Sequence, residues 1–452
     1  MQAASLEEKL QGYESPVEML RNAPAGPYAF PVPAEFSNWR DEQRAWMETA
    51  VLFDQSFHMT DVYLEGPDVV RLLSDVAVNS FAGFGRNRAK QLVACSEDGY
   101  VIGDGVLFGL EDDRVCVVGR PALGNWLQYR AETGDYRVHA TRDERVLDGD
   151  GRRLTFRFQV QGPNAADVIA EASGVRLSDI PFFNLAEIAV GGVRVRALNH
   201  GMARMPGLEL VGPAEERDRV IDALLAAGDR HALKRGGARA YSTVAIESGW
   251  IPSPTPAIYS GEATKPYREW LSADGWEASL SLGGSFVSSE IEDYYETPWD
   301  LGYGRLVKFD HDFTGRDALE RLAGAPHRRK VWLRWDRDAV LGVFASMLGS
   351  GLPAKYMDLP AAHYATLPLD SVLAGGDLVG LSTYPVYTVN AGDWFSLAMV
   401  DEARAEDGAE MTIVWGEPGG GSAKPVVERH RQVEIPAVLS TASPARRDGC
   451  TA

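Results

Sequence analysis

The amino-acid sequence predicts an α+β fold, with a duplicated core followed by a separate β-rich region. Two observations support this: a strand–turn–helix pattern occurs twice in the first half, and short alternating runs replace it after Gly324. The length of 452 residues suggests two or three domains. A hydrophobic content of 45% and a charged content of 24% are ordinary for a protein with a substantial core.

The repeated pattern consists of a strand, a Gly-Pro turn and a helix. In the first copy, residues 62–68 lead into apolar residues at helical spacing, and in the second copy residues 158–164 do the same. Asp68 and Asn164 stand where a helix N-cap belongs, so we expect their side chains to cap the helices. The two copies together predict a duplicated core.

The remaining elements follow in chain order. Residues 213–225 predict an amphipathic helix that stops at 226–228. Beyond Gly324, a barrel or sandwich is predicted by β-rich runs at residues 330–335, 377–389, 394–400, 410–415 and 432–435. Residues from Thr441 onwards predict a loose tail.

Charge and composition exclude several classes of function. A net charge of −19 argues against a nucleic-acid surface, although a few local cations can still hold a small anionic ligand. No apolar run is long enough for a membrane span, and residues 1–9 lack the pattern of a secretory signal, so we expect a cytoplasmic protein. Cys95 and Cys116 are expected in the core and Cys450 in the tail, with neither a disulfide framework nor a zinc site.

Several familiar motifs are incomplete. Residues 83–85 lack the third glycine of a dinucleotide fingerprint, and residues 416–422 lack the Lys-Ser/Thr of a phosphate loop. We interpret the first as a turn and the second as a hairpin loop. The His-Glu-x-x-His and Gly-x-Ser-x-Gly motifs of metalloproteases and hydrolases do not occur. No metal site is expected.

Longer strings carry a specific resemblance. The strings AYSTVAIESGW at 240–250, GYG at 302–304 and VKFDHDFTGRDAL at 307–319 resemble the glycine-cleavage T-protein superfamily, which moves one-carbon units onto tetrahydrofolate. Further strings resemble the tetrahydrofolate-dependent aryl O-demethylases acting on vanillate, 3-O-methylgallate and syringate. These are GPYAFP at 26–31, EFSNWR at 35–40, VLFDQSFHM at 51–59, IPSP at 251–254 and GGSFVSS at 283–289.

This resemblance implies a fold and an activity. It implies an aminomethyltransferase-like folate-binding core over residues 1–325, a C-terminal β-barrel domain over 326–440 and a tail over 441–452. The implied reaction transfers the methyl group of a methoxylated aromatic acid to N5 of tetrahydrofolate, giving a phenol and 5-methyl-tetrahydrofolate. The implied partners are therefore the aromatic acid and tetrahydrofolate.

The resemblance also assigns catalytic residues. Tyr241 and Ser242 replace the Arg-Asp pair of the amine-processing members, and Tyr241 takes the place of a tyrosine that moves a proton at the phenolic oxygen. His58 matches a histidine of the demethylase pocket. The alternatives are a core tyrosine with a satisfied hydroxyl and a structural histidine.

Four residues are implied for substrate binding. Arg120 matches the residue that grips the aryl carboxylate, the alternative being a surface ion pair. Tyr28 and Gln161 fall at pocket-like positions. Phe30 stands where vanillate-type members carry a second tyrosine, which predicts a more apolar wall and a wider tolerance for a second methoxy group, as in syringate.

Three residues are implied for the cofactor. Glu209 corresponds to the carboxylate that binds the amino edge of the pterin, and its burial without a partner would be costly. Trp250 resembles an aromatic wall beside the folate, with core packing as the alternative. Asp104 serves the folate end or caps a turn, and the sequence leaves both open.

Two other functions compete. One is a folate-dependent aminomethyl- or S-methyl-transferase acting on a non-aromatic substrate, and the Tyr241-Ser242 pair disfavours the aminomethyl version. The other is a folate-binding protein of iron–sulfur assembly, which would need a cysteine within residues 309–316, where this chain has none. The preferred aromatic acid and the oligomeric state stay open.

Overall fold

The computed structural model describes residues 3–252 and 254–444. Its strands are β1 Ala50–Asp54, β2 Thr60–Glu65, β3 Ala89–Cys95, β4 Val101–Glu111, β5 Arg114–Gly119, β6 His139–Asp143, β7 Thr155–Gln161, β8 Leu185–Val190, β9 Val193–Asn199, β10 Gly207–Pro213, β11 Leu233–Gly236, β12 Leu282–Gly283, β13 Arg328–Trp335, β14 Leu367–Pro368, β15 Asp370–Ala374, β16 Asp377–Thr388, β17 Asp393–Asp401, β18 Glu410–Trp415 and β19 Val433–Ser440. Its α-helices are α1 Leu6–Leu10, α2 Pro16–Asn22, α3 Trp39–Glu48, α4 Val69–Val76, α5 Pro121–Thr133, α6 Ala165–Ser173, α7 Arg217–Gly228, α8 Ala238–Tyr241, α9 Val244–Ser248, α10 Lys265–Trp270, α11 Arg316–Leu322 and α12 Arg337–Ser346.

Two sheets form the core. The six-stranded sheet has the order β11-β1-β7-β10-β9-β8, in which β1 and β11 are parallel and the other neighbours antiparallel. The five-stranded sheet has the order β3-β4-β5-β2-β6 and is antiparallel throughout. Each sheet contains one copy of the repeated pattern, β2 with α4 in one and β7 with α6 in the other. The predicted duplicated α+β core is confirmed.

The two Gly-Pro turns share a backbone requirement. Gly66 has φ of 147° and Gly162 has φ of 127°, and a Cβ would approach the Arg137 carbonyl at 2.0 Å and the Thr49 carbonyl at 2.6 Å, respectively. Only glycine fits such positions without displacing backbone. The predicted capping is wrong, because neither Asp68 nor Asn164 accepts a capping hydrogen bond. Asp68 instead accepts from the Arg137 backbone, and Asn164 donates to the His231 carbonyl.

Two boundaries differ from those predicted. The helix expected at 213–225 begins at Arg217, because residues up to Pro213 continue β10 and a 3₁₀ turn follows. It also continues to Gly228, so residues 226–228 belong to it. In the C-terminal region the sequence predicted five β runs, but β15 was missed because it is short and follows closely on β14.

The C-terminal strands close into a barrel in the order β13-β17-β16-β15-β18-β19. This confirms the predicted barrel, and the glycine-rich segment 416–422 lies between the antiparallel strands β18 and β19, as a hairpin connection should. The barrel shares one hydrophobic cluster with the core, to which it contributes Trp332, Leu397 and Met399 among others. One wall of the barrel therefore packs directly on the core.

This packing fixes the segment 240–250. The indole Nε1 of Trp332 donates to the Ile246 carbonyl at 2.6 Å. The buried carboxylate of Glu247 accepts from Asn390 at 2.9 Å and from Thr388, both supplied by the barrel. The barrel thus holds helix α9 in place, and with it the residues on either side.

The structure tests the predictions about the cysteines and about membrane spans for the residues that it describes. Cys95 and Cys116 are buried free thiols in the core, as expected, whereas Cys450 and residues 445–452 of the predicted tail lie outside the described residues. None of the helices within 3–252 and 254–444 is long and apolar enough to cross a membrane.

Candidate active site

A cavity of about 740 Å³ lies where the two core sheets meet the C-terminal region. Most of its wall comes from five parts of the chain. These are the N-terminal segment with Tyr28 and Phe30, the core strands and the residues next to them, the loop 199–207, the segment 241–252, and residues 363–366 with Tyr384 from the C-terminal region. Phe182, Tyr303 and Lys330 also line the cavity. Such a volume suits a drug-sized organic ligand or two smaller ones.

One end of the cavity is aromatic. The ring of Phe30 lies edge-on to Tyr28, His58 and Tyr241, with centroid distances of 5.4, 5.2 and 5.1 Å. His58 and Tyr241 also contact each other edge-on at 5.1 Å. Edge-to-face contacts lock each ring in a fixed orientation. Residues separated by up to about 200 positions in sequence therefore form one rigid aromatic wall.

Burial keeps both titratable rings of this wall neutral. The pKa of Tyr241 is raised above its usual value, mainly by desolvation, so the group is a phenol at neutral pH. Its hydroxyl accepts a hydrogen bond of 2.9 Å from Gln55 Nε2, which leaves its own proton available for donation. Burial, and then the charge of Arg120, lower the pKa of His58 to about 3. His58 is therefore an uncharged imidazole.

Arg120 precedes helix α5 and points into the cavity. Its guanidinium lies 3.9 Å from the ring centroid of Tyr28, in a cation–π arrangement. Across residues 3–252 and 254–444, no group hydrogen-bonds to its buried Nη1, and no carboxylate forms a salt bridge with it. The expected alternative, a surface ion pair, is not what the structure contains. A desolvated, unsatisfied guanidinium is suited to binding a carboxylate.

Glu209 lies on β10 in the cavity wall, and it is not unpaired. Its Oε1 accepts from Arg157 Nη1, and Arg157 Nη2 also donates to Asp61 at 2.9 Å. The sequence argument that an unpaired glutamate favours a ligand is therefore wrong, because Arg157 on β7 neutralises it. In the described part of the chain no donor reaches Glu209 Oε2, so one carboxylate oxygen is still free to accept from a ligand.

Asp104 lies within strand β4, so it does not cap a turn. Its Oδ2 accepts hydrogen bonds from Tyr303 Oη at 2.6 Å, Gln91 Nε2 at 2.8 Å and Trp250 Nε1 at 3.1 Å. Burial raises the pKa of this carboxyl, against the lowering effect of the Tyr303 and Trp250 hydrogen bonds. Trp250 itself is 40% exposed, which excludes core packing as its role. Asp104 thus fixes an exposed indole in the cavity wall.

All of the predicted site residues except Gln161 line this cavity. Gln161 is fully buried behind the wall, where its Oε1 accepts from the Met202 backbone at 2.9 Å. Sequence reasoning missed Gln55, His200, Lys330 and His363. Gln55 lies within the quoted string 51–59 and could have been found there. His200, Lys330 and His363 lie outside the strings that carry the resemblance, and no motif distinguishes them.

Comparisons with known proteins give a family match and two long alignments. Residues 2–254 match the family model described as the GCVT N-terminal domain. The chain is 47% identical over 440 residues to a syringate O-demethylase of Sphingobium sp. (strain SYK-6), covering 97% of this chain and 95% of that protein. It is also 30% identical over 411 residues to a sesamin methylene transferase of Sinomonas sp. (strain No.22), covering 86% and 87%.

A solved structure has the same fold. The glycine cleavage system aminomethyltransferase T from Bartonella henselae superposes with a TM-score of 0.62 over 95% of this chain and 96% of that one, at 18% sequence identity. At this identity the likeness concerns the fold. Together with the family model and the long alignments, it establishes that this chain belongs to the GCVT family, the aminomethyltransferase superfamily of folate-linked one-carbon enzymes.

Proposed function

We propose that this protein is a tetrahydrofolate-dependent O-demethylase of methoxylated aromatic acids, with syringate-type acids as the substrate class. One observation carries the proposal: a neutral phenol, Tyr241, stands in a rigid aromatic wall within one cavity that also contains the unpaired guanidinium of Arg120. That combination matches an aromatic ring, its ether oxygen and its carboxylate. The 47% identity to a syringate O-demethylase supports the same substrate class.

Arg120 and the aromatic wall orient the substrate. The guanidinium binds the carboxylate through charge-assisted hydrogen bonds, and its position over Tyr28 fixes its plane. The edge-on rings of Phe30 and His58 confine the substrate ring. A rigid pocket of this kind supplies much of the rate of a displacement, because the reacting atoms must lie nearly in line.

Tyr241 supplies the proton that the leaving oxygen needs. As the bond between methyl carbon and ether oxygen breaks, the oxygen keeps the electron pair and would depart as a poor leaving group. Tyr241 donates its phenolic proton to that oxygen while Gln55 Nε2 stabilises the charge that develops on the tyrosine. Tyr241 must then regain a proton, and tetrahydrofolate, when bound, would supply one from the amine that accepts the methyl group, so that the overall reaction neither gains nor loses a proton.

Three further residues of the cavity lining fit tetrahydrofolate, which when bound would supply the amine nucleophile that accepts the methyl group. Glu209 offers a carboxylate oxygen with no donor from the described residues, and the pterin edge is rich in N–H donors. Trp250 offers an exposed indole face that Asp104 holds by its Nε1. We assign these three residues to cofactor binding.

The competing aminomethyl transfer receives less support. An amino-acid substrate would need a carboxylate beside its ammonium group, but Glu209, whose charge acts on Tyr241, is already paired with Arg157. We also propose a cytoplasmic location, which the buried free thiols of Cys95 and Cys116 support, because reduced cysteines are typical of that compartment.

The test replaces Tyr241 by Phe. We expect the Tyr241→Phe variant to lose roughly 100-fold or more in kcat with syringate and tetrahydrofolate, because a general acid contributes at least that much. The dissociation constant for syringate should change little, since the carboxylate contact remains. Tyr387→Phe is the control, because Tyr387 packs edge-on against Trp39 and does not line the cavity. Full activity in Tyr241→Phe would refute the proton-donating role.

A further inference from the structure

The C-terminal region contributes a histidine to the cavity. His363 lies just before β14, and its ring packs edge-on against Tyr384 at a centroid distance of 4.8 Å. The Ala362 backbone N–H donates to the Pro385 carbonyl at 3.0 Å, which ties this segment to β16. Both His363 and Tyr384 face the same cavity as Tyr241 and Arg120.

The backbone beneath this pair is strained. Tyr384 has φ of 53°, in the left-handed region that non-glycine residues rarely adopt. It stands where the register of β16 against β17 shifts, between Thr383 and Val386. Bulges of this kind commonly redirect a side chain next to a functional site. Here the bulge directs Tyr384, and the histidine packed on it, towards the cavity.

The hydrogen bonds of His363 define which ring nitrogen carries the proton. Burial, followed by the charge of Arg120, lowers the pKa of His363 to about 3, so the ring is neutral. A hydrogen bond with the Tyr384 backbone raises the pKa, so the ring must donate and the carbonyl accept. Nε2 is buried without a partner in the part of the chain that the structure describes, so the donor is Nδ1. Nε2 therefore presents a lone pair.

A buried acceptor without a donor is costly, and such atoms usually have a function. We propose that His363 is a specificity-determining residue whose Nε2 accepts a hydrogen bond from an O–H or N–H group of a ligand in the cavity. The inference rests on the proposed function, which provides both kinds of donor: the phenolic hydroxyl of the aromatic acid and the N–H groups of the folate. The barrel would then help to select the ligand in addition to supporting the core.

The first experiment measures binding by calorimetry. The ligands are syringate, 3,5-dimethoxybenzoate, which lacks the phenolic hydroxyl, and tetrahydrofolate. His363→Phe keeps the ring but removes the acceptor, and His363→Gln keeps an acceptor near the position of Nε2. If the phenol is the donor, His363→Phe weakens syringate roughly fivefold and leaves the other two ligands unchanged. If the folate is the donor, only tetrahydrofolate weakens. In either case His363→Gln restores most of the affinity.

The second experiment uses the wild-type protein and so does not depend on the folding of a variant. The protein contains 8 histidines, and labelling them with nitrogen-15 makes the His363 ring observable by NMR. We expect the Nε2 resonance to move upfield when the ligand with the donor binds, as a bare ring nitrogen does on accepting a hydrogen bond. An unmoved resonance with every ligand, or equal binding by wild type and His363→Phe, would overturn the inference.

The two experiments also separate this inference from the proposed function. Both are equilibrium measurements that need no turnover. If the protein binds these ligands and the Nε2 resonance of His363 shifts, but no substrate is demethylated, the proposed function is contradicted and the inference about His363 stands. If the protein demethylates syringate but neither ligand binding nor the Nε2 resonance shows any role for His363, only the inference is contradicted.

Discussion

The carboxylates of Glu209 and Asp104 line the same cavity, but one is held by a charged partner and the other by neutral hydrogen-bond donors. Glu209 lies against the positive charge of Arg157, which Asp61 shares. Asp104 receives three hydrogen bonds from neutral donors, including Tyr303 and Trp250. Burial raises the pKa of Asp104, and its hydrogen bonds from Tyr303 and Trp250 and the charges of Arg120 and Lys330 oppose this only in part.

This difference in partners indicates different roles for the two buried carboxyl groups. A carboxylate paired with an arginine is held in a fixed position by charge-assisted hydrogen bonds, which suits the binding of a donor-rich ligand edge. A carboxyl held by neutral donors, whose pKa burial raises, takes up a proton more readily than in water, and in the folded protein it mainly positions its donors. We therefore expect Glu209 to act on the cofactor directly and Asp104 to act through Trp250.

The largest expected effect comes from removing Arg157. An Arg157→Leu variant leaves Glu209 buried without its cation, while Asp61 keeps its buried salt bridge to Arg153 at 3.3 Å. Breaking a buried pair in this way costs about 3–5 kcal/mol, so the free energy of unfolding measured in urea should fall by that amount. The control is Arg176→Ala, which breaks the exposed Arg176–Asp179 pair and should leave the urea midpoint near that of the wild type. Equal losses in the two variants would contradict the assignment.

The next effect concerns the cofactor. Glu209→Gln removes a charged acceptor, and we expect the dissociation constant for tetrahydrofolate to rise roughly 10- to 100-fold. Asp104→Asn should raise it by about fivefold or less, because it disturbs only neutral hydrogen bonds to Trp250. Calorimetric titration of both variants measures the contrast. A larger loss in Asp104→Asn than in Glu209→Gln would reverse the roles given to the two acids.

A pH titration distinguishes the two carboxyls further. Since the folded pKa of Asp104 lies above the unfolded value of 3.8, the folded state holds the proton more tightly. The contribution of Asp104 to stability is therefore greatest below the unfolded pKa and declines as pH rises through the folded pKa. The difference in unfolding free energy between wild type and Asp104→Asn should therefore fall as the pH rises from the unfolded pKa of 3.8 through the higher folded pKa. A flat or rising difference would show that burial does not govern this group.

The smallest effect is on substrate choice. Phe30→Tyr adds a hydroxyl beside His58 and Tyr241, and we expect the ratio of kcat/KM for syringate to that for vanillate to fall by roughly three- to tenfold. Phe36→Tyr, at a partly exposed ring outside the cavity, should leave the ratio unchanged. An unaltered ratio in Phe30→Tyr would mean that Phe30 does not determine the preference for a substrate with a second methoxy group.

The sequence could predict those parts of the site that lie within long strings. Tyr28, Phe30, His58 and Tyr241 each belong to one, and the structure brings them into a single wall. The two Gly-Pro turns could also be predicted from the sequence. The structure shows that their glycines occupy positions where a Cβ would clash with backbone.

The remaining features depend on contacts between distant residues. Glu209 on β10 pairs with Gln159 on β7, two residues from Arg157, so its ion pair could be known only from the register of those strands. The Asp68 side chain does not cap its helix, because it accepts a hydrogen bond from the backbone N–H of Arg137, which is remote in sequence. His363 and Tyr384 reach the cavity only because a register shift in the barrel directs them there. Local patterns carry no signal for any of these.

The central claim is that the methyl group passes from the aryl ether to tetrahydrofolate in this cavity. The most direct test is a single-turnover reaction of syringate in which both methoxy groups are deuterated, analysed by mass spectrometry. We predict that one fully deuterated methyl group appears in 5-methyl-tetrahydrofolate for each molecule of demethylated phenol, that the phenol keeps the other labelled methoxy group, and that neither product appears without folate. Release of the label as methanol or formaldehyde, or phenol formation in the absence of folate, would contradict the account.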